Sequence, residues 1–168
     1  MTMRRASLLS DTSAQAAAEM MLVLPMLLAL MFGAGEVGYY FYQEHVLVDA
    51  VRDGARFAAR QPPEEVSCAG IDSDTETSIK TATRLISPGA LDTAENRRIT
   101  YWDSNDSVTV TVSCPDNDGF EGLYVNMTEV PRVRVSAEVD YQSLFSFLGL
   151  GDLALSIEAA SEAAVVGA

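Results

Sequence analysis

Two carboxylates stand where carboxylates are costly. Glu19 and Glu36 bracket sixteen uncharged residues, MMLVLPMLLALMFGAG, and the aromatic run YYFY follows the second of them. An ionised acid near the centre of a bilayer costs about 3 kcal/mol or more, so each asks for a partner or for an interfacial position. One reading makes the pair markers of the two membrane faces, about 25 Å apart at ~1.5 Å per residue. The other gives Glu19 a cationic partner on a neighbouring chain. His45 is the sole histidine and has no second ligand nearby in sequence, so it reads as an exposed polar contact. The acids of Asp116-Asn117-Asp118-Gly119-Phe120-Glu121 resemble a calcium loop only superficially. They lack the spaced final glutamate of an EF-hand and read as a solvated turn. Glu64-Glu65 lie in a linker with no cleft to raise a pKa. No Ser/His/Asp set, thiol–histidine pair, phosphate-cradling glycine loop or metal-ligand cluster is present in the sequence, so it points to no enzyme, cofactor or metal.

The element that must position these acids is a long helix. From Ala16 to Tyr42 the chain is apolar enough, and long enough, to cross a hydrocarbon core of ~30 Å. Beyond it Leu47, Ala50, Val51, Gly54, Ala55 and Ala58 recur at i, i+3, i+4 and i+7, a narrow stripe on an otherwise polar helix. The spacing predicts one helix over 15–60, its first half in lipid and its second giving a face to a partner. Pro25 removes one backbone bond and is expected to loosen the preceding turn. Gly33, Gly35 and Gly38 suit close approach of another helix. Tyr39, Tyr40 and Tyr42 form an aromatic belt at the outer interface.

Charge orients the chain. Residues 1–60 carry a net −1 and residues 61–168 a net −12 of the total −13. A region that acidic excludes nucleic acid held through phosphates. Arg4 and Arg5 precede the apolar run, which keeps the N-terminus cytoplasmic and sends the acidic region across. A secretory signal peptide cut near Gly33 or Gly35 is the competing reading, yet the helical pattern continues through that point. In an external domain the even pair Cys68 and Cys114 favours a disulfide, with two free or metal-binding thiols as the alternative.

The order of small residues, Glu19, an apolar run with LVLP, then GEVG and AVRDGARFAA from Ala50 to Ala59, resembles the TadE-like pseudopilins of tight-adherence (Tad) pilus systems. The likeness covers Gln15 to Arg60 well and the C-terminal third loosely. It implies a leader, residues 1–14, removed by a membrane prepilin peptidase between Ala14 and Gln15, four residues before Glu19. Ala14 stands where the family usually has glycine, and Met20 where an aromatic commonly follows the glutamate. Cleavage would place a positive amine on Gln15, and a neighbouring subunit's Glu19 could pair with it and set axial register. The resemblance further implies a bacterial inner-membrane origin, with other pilins or pseudopilins and Tad inner-membrane assembly proteins as partners. The domain would be periplasmic or carried into an extracellular pilus that supports adherence. Pro25, Glu36, Ala50, Val51, Gly54, Ala55 and Ala58 are the expected assembly-helix residues. The alternative is a permanently anchored single-pass protein whose external domain binds a ligand.

Gln61-Pro62-Pro63 ends the helix. The remainder, 61–168, reads as an acidic α+β domain: an antiparallel sheet of three or four strands with a packed helix. A helix is predicted over Thr77–Ser87, with Ile79, Ala82, Thr83 and Ile86 on one face, and strands over Arg98–Asp103 and Ser107–Cys114. Val130–Tyr141 alternates, with Val133, Val135, Ala137, Val139 and Tyr141 inward. Leu144–Leu150 is an apolar turn or short helix, and Leu153–Val166 a final strand.

Overall fold

In the computed structural model, residues 12–117, 129–147 and 155–166 are described. Helix α1, Thr12–Ala59, runs unbroken through Pro25, which loses one donor without ending the helix. Its 48 residues give a length of roughly 72 Å. The chain divides into two compact units, Met1–Tyr39 and Tyr40–Ala168. The second unit begins inside the helix, so the last turns of α1 are part of the domain.

A small hairpin, β1 (Val66–Ser67) and β2 (Gly70–Ile71), follows α1. Gly70 takes φ 138° there, a conformation that a side chain would strain. Helix α2 spans Ser73–Arg84 and starts four residues before the predicted position. Its start is set by the Asp72 carboxylate, which accepts from Asp74 N at 3.1 Å and Thr75 N at 3.4 Å. The polar first turn, SDTE, carries no apolar period to announce it. Leu85 leaves the helix in extended conformation and bridges to Arg97, which leaves Ile86 exposed.

The expected strand over Arg98–Asp103 is a correction. That segment is a series of turns in which Trp102 N bonds Ile99 O at 2.9 Å. Ile99 and Trp102 are both buried, three residues apart, where a strand would bury every second side chain. A 3-10 turn, Asn105–Ser107, then feeds the main sheet. Its strands are β3 (Val108–Ser113), β4 (Arg132–Asp140) and β5 (Ser156–Ala164), antiparallel in the order β3-β4-β5. Val135 pairs with Val110 on one side and Ser161 on the other. Alternation holds as expected along β4, where Val133, Val135, Ala137, Val139 and then Tyr141 are buried. The short helix α3, Leu144–Phe147, lies in the β4–β5 connection.

The core of the second unit is built on one face of this sheet. Val108, Val110, Ile157 and Ala159 join the β4 residues, with Ile79, Ala82 and Leu85 of the α2 region and Val66. The stripe on α1 is part of the same core: Leu47, Ala50, Val51 and Ala58 are fully buried and Ala55 nearly so. The stripe that was expected to give one face to a partner is thus buried within the second unit itself. Its small residues permit close approach, but what approaches is the chain itself. A Cβ added at Gly54 would overlap the Thr83 hydroxyl and stand 3.1 Å from Thr83 Cβ. Thr83 is held in turn, its Oγ1 donating to Ile79 O at 2.8 Å.

Candidate functional site

The apolar part of α1 is defined by what it leaves uncovered. Side chains from Met20 to Phe32 are exposed almost without interruption, Met21, Leu22 and Leu30 among the most. The most apolar eighteen-residue window has a mean hydropathy of 2.0, and only 6% of it is buried. A core helix of a soluble domain would bury such a window, whereas lipid can cover it on every side. One helix near the N-terminus is thus long and apolar enough to span a membrane. Added Cβ atoms at Gly33, Gly35 and Gly38 meet nothing within 4 Å.

Glu19 sits at the entry of this run, exposed, with the Gln15 side-chain amide donating to its Oε1 at 3.4 Å, one turn away. Ala14 lies within α1, and its side chain is outside the described residues, as are residues 1–11 of the expected leader. Glu36 differs from Glu19: it is buried and takes part in an interaction. His45 is exposed, as expected.

Several contacts hold α1's final turns to the rest of the second unit. The Tyr101 hydroxyl donates to the Gln43 side-chain carbonyl oxygen, and Gln43 is buried. Tyr40 and Tyr141 meet edge to face, ring centroids 5.2 Å apart. Arg98 pairs with Asp53 at 2.9 Å, and Val166 N donates to Ala59 O at 3.0 Å. Tyr141 was visible as the last member of the alternating strand. Tyr101 and Gln43, 58 residues apart, carried no such signal.

Arg84 is the buried cation among the described residues of the domain. It donates to Asn105 Oδ1 and to Trp102 O, each at 2.7 Å, and forms an ion pair with Asp92. Arg97 reaches the other oxygen of Asp92 at 2.7 Å. The hydrogen bond from Arg84 and then that from Arg97 hold the Asp92 carboxyl below the ordinary aspartate range. Glu65, half of the linker pair, accepts from the Thr75 hydroxyl at 2.9 Å. These contacts tie α2 and the hairpin after α1 to the segments that follow them.

Cys68 and Cys114 form a disulfide, Cα atoms 5.8 Å apart, which ties the hairpin after α1 to the end of β3. Glu129 lies close to both sulfurs, but joined sulfurs offer no thiolate to a metal. The calcium-like reading falls on 116–121, and residues 118–128 lie outside the described residues.

The fold and the uncovered helix define a class: a small α+β domain carried on one N-terminal helix able to span a membrane. The family model described as TadE-like protein matches residues 14–56, a stretch that contains Gln15, Glu19, Pro25, Glu36 and most of the stripe. That match makes this segment of the chain similar to TadE-like proteins. No curated protein and no solved structure matches the chain.

Proposed function

We propose that the chain is a pseudopilin-like structural component, not an enzyme, of a Tad-type pilus or of the machinery that assembles it. The observation that carries this reading is a single helix that leaves its apolar run uncovered, with Glu19 at the entry, inside the segment similar to TadE-like proteins. In this reading a prepilin peptidase cuts between Ala14 and Gln15. The new amine of one subunit then pairs with Glu19 of the next, offsetting the desolvation of both charges. Arg4 and Arg5 keep residues 1–14 cytoplasmic, and the acidic domain with its disulfide faces the periplasm or is carried outward to support adherence. Other pilins or pseudopilins and Tad inner-membrane proteins are the partners.

The burial of the stripe shapes the proposal. Ala50, Val51, Ala55 and Ala58 are taken up inside the second unit, so contact with neighbouring subunits falls to the apolar run around Pro25 and to Glu19. The same burial favours the second reading, a permanent single-pass anchor with an external binding domain. The N-terminal residue and intact mass of the protein from its own membranes separate the two. A chain beginning at Gln15 is expected, and a chain retaining residues 1–14 leaves Glu19 without its amine and sinks the pseudopilin role.

A further inference from the structure

The main sheet ends at β5 in an edge whose direction can be read from two bonds. Val165 N donates to Pro131 O at 2.9 Å and Tyr141 N to Leu155 O at 2.7 Å. Both bonds continue the β4–β5 register, so the odd-numbered residues of β5 turn their N–H and C=O toward β4. The even-numbered residues Ser156, Glu158, Ala160, Glu162 and Ala164 turn theirs away. Val166 N, next in that series, donates to Ala59 O at 3.0 Å, so the end of α1 closes the edge there. From Ser156 to Glu162 the outward groups have no backbone partner among the described residues. Ser156, Glu158, Ala160 and Glu162 are all exposed, and an exposed alanine presents mostly main chain. The other edge differs: β3 packs against α2, and Val108 N is taken up by Asn105 O. A nine-residue edge strand without proline or lysine is a ready template for another chain.

We propose that this edge takes up an extended segment of another protein as an antiparallel strand beside β5, and that the segment is basic, with cationic side chains at i and i+4. Main-chain bonds supply the pairing, and side chains select the partner. On the outer face β5 offers Glu158, Ala160 and Glu162, and the strand holds no basic residue. Residues opposite Glu158 and Glu162 are four apart on one face of the incoming strand. Glu158 stands opposite Glu138, and neither is in an ion pair among the described residues. A cation across from Glu158 relieves a repulsion that folding leaves standing. Asp106 joins the two glutamates around a shallow opening with Thr109 and Ser136, which deepens the negative potential beside the edge. The same charges oppose a second copy. Two β5 strands centred on Ala160 would set Glu158 against Glu162, and each copy brings the net −12 of residues 61–168. The pairing is independent of the membrane-spanning reading of α1.

The probe is a fluorophore-labelled synthetic peptide, Thr-Lys-Val-Ser-Val-Lys-Thr with blocked ends, titrated into the full chain in uncharged detergent micelles at low salt and read by anisotropy. Saturable binding is expected, and a twin with glutamates for the lysines should not bind. N-methylation of the two lysines and the serine, whose amides face β5 in the antiparallel pairing, should abolish binding. N-methylation of the two valines, whose amides face away, should spare it. Ala160→Pro removes one outward N–H at a position where an edge strand tolerates proline, and should lose the peptide while Trp102 emission stays native. Glu158→Lys should weaken the lysine peptide about fivefold and strengthen the glutamate twin by a similar factor. Binding indifferent to N-methylation, or lost equally with both sets, overturns strand pairing and leaves charge alone. Absence of binding by the lysine peptide overturns the proposal outright. Self-association of the chain that Ala160→Pro abolishes assigns the edge to a second copy and overturns it as well.

Discussion

Gly54 is the position at which the intramolecular seat of α1 can be tested against an intersubunit one. An added Cβ would collide with the side chain of Thr83, which is fully buried and β-branched and whose hydroxyl is already bonded to Ile79 O. Neither helix can give cheaply, so Gly54→Ala falls near the top of the ~1–3 kcal/mol range for an overpacked core. Replacing a helical glycine by alanine returns ~1 kcal/mol. The net expectation is a loss of about 2 kcal/mol. Trp102 is buried and is the only tryptophan, so its fluorescence reports unfolding of the domain in denaturant, with the full chain held in micelles. Thr83→Ala in the same chain removes the colliding hydroxyl and methyl, and the double mutant should recover about 1 kcal/mol or more relative to the sum of the two single changes. The reasoning is refuted if Gly54→Ala leaves stability within ~0.5 kcal/mol of the parent yet abolishes piliation. That outcome would make the stripe a face for another subunit after all.

Three further expectations follow from particular contacts. Replacing Cys68 and Cys114 by serine should cost about 4 kcal/mol in the chain-entropy model for a separation of 46 residues, read as a lower denaturant midpoint with Trp102 still native at zero denaturant. Asp92, with its folded pKa lowered by Arg84 and Arg97, contributes stability that is complete above its unfolded value near pH ~4 and lost as pH falls through the lower folded value. Asp92→Asn should therefore weaken the domain at neutral pH and narrow the gap to the parent on acid titration; a gap that stays constant down to pH ~2 counts against the ion pair. Glu138 and Glu158 stand directly opposite each other on β4 and β5, both exposed, and like charges so placed repel. Glu158→Lys should raise stability by about 0.5 kcal/mol at low salt, and by less when salt is added.

The sequence by itself determined the local and periodic features. Sixteen uncharged residues between two glutamates, followed by tyrosines, announce a membrane-length helix, because length and hydropathy are additive along the chain. The alternation from Val133 to Tyr141 settled which side of β4 is inward, since a strand has a strict period of two. An even pair of cysteines in a region expected outside the cytoplasm was enough to anticipate the Cys68–Cys114 bond. The tertiary structure alone decided what those features touch. A stripe of Leu47, Ala50, Val51, Gly54, Ala55 and Ala58 tells that something packs closely, but periodicity carries no address, and α2 with Thr83 turned out to be the occupant. The start of α2 and the turns around Ile99 and Trp102 were hidden for a related reason. The first depends on the single local cap at Asp72, and the second on an isolated bridge and a buried arginine that join residues well separated in the chain; none of these leaves a repeating mark within it.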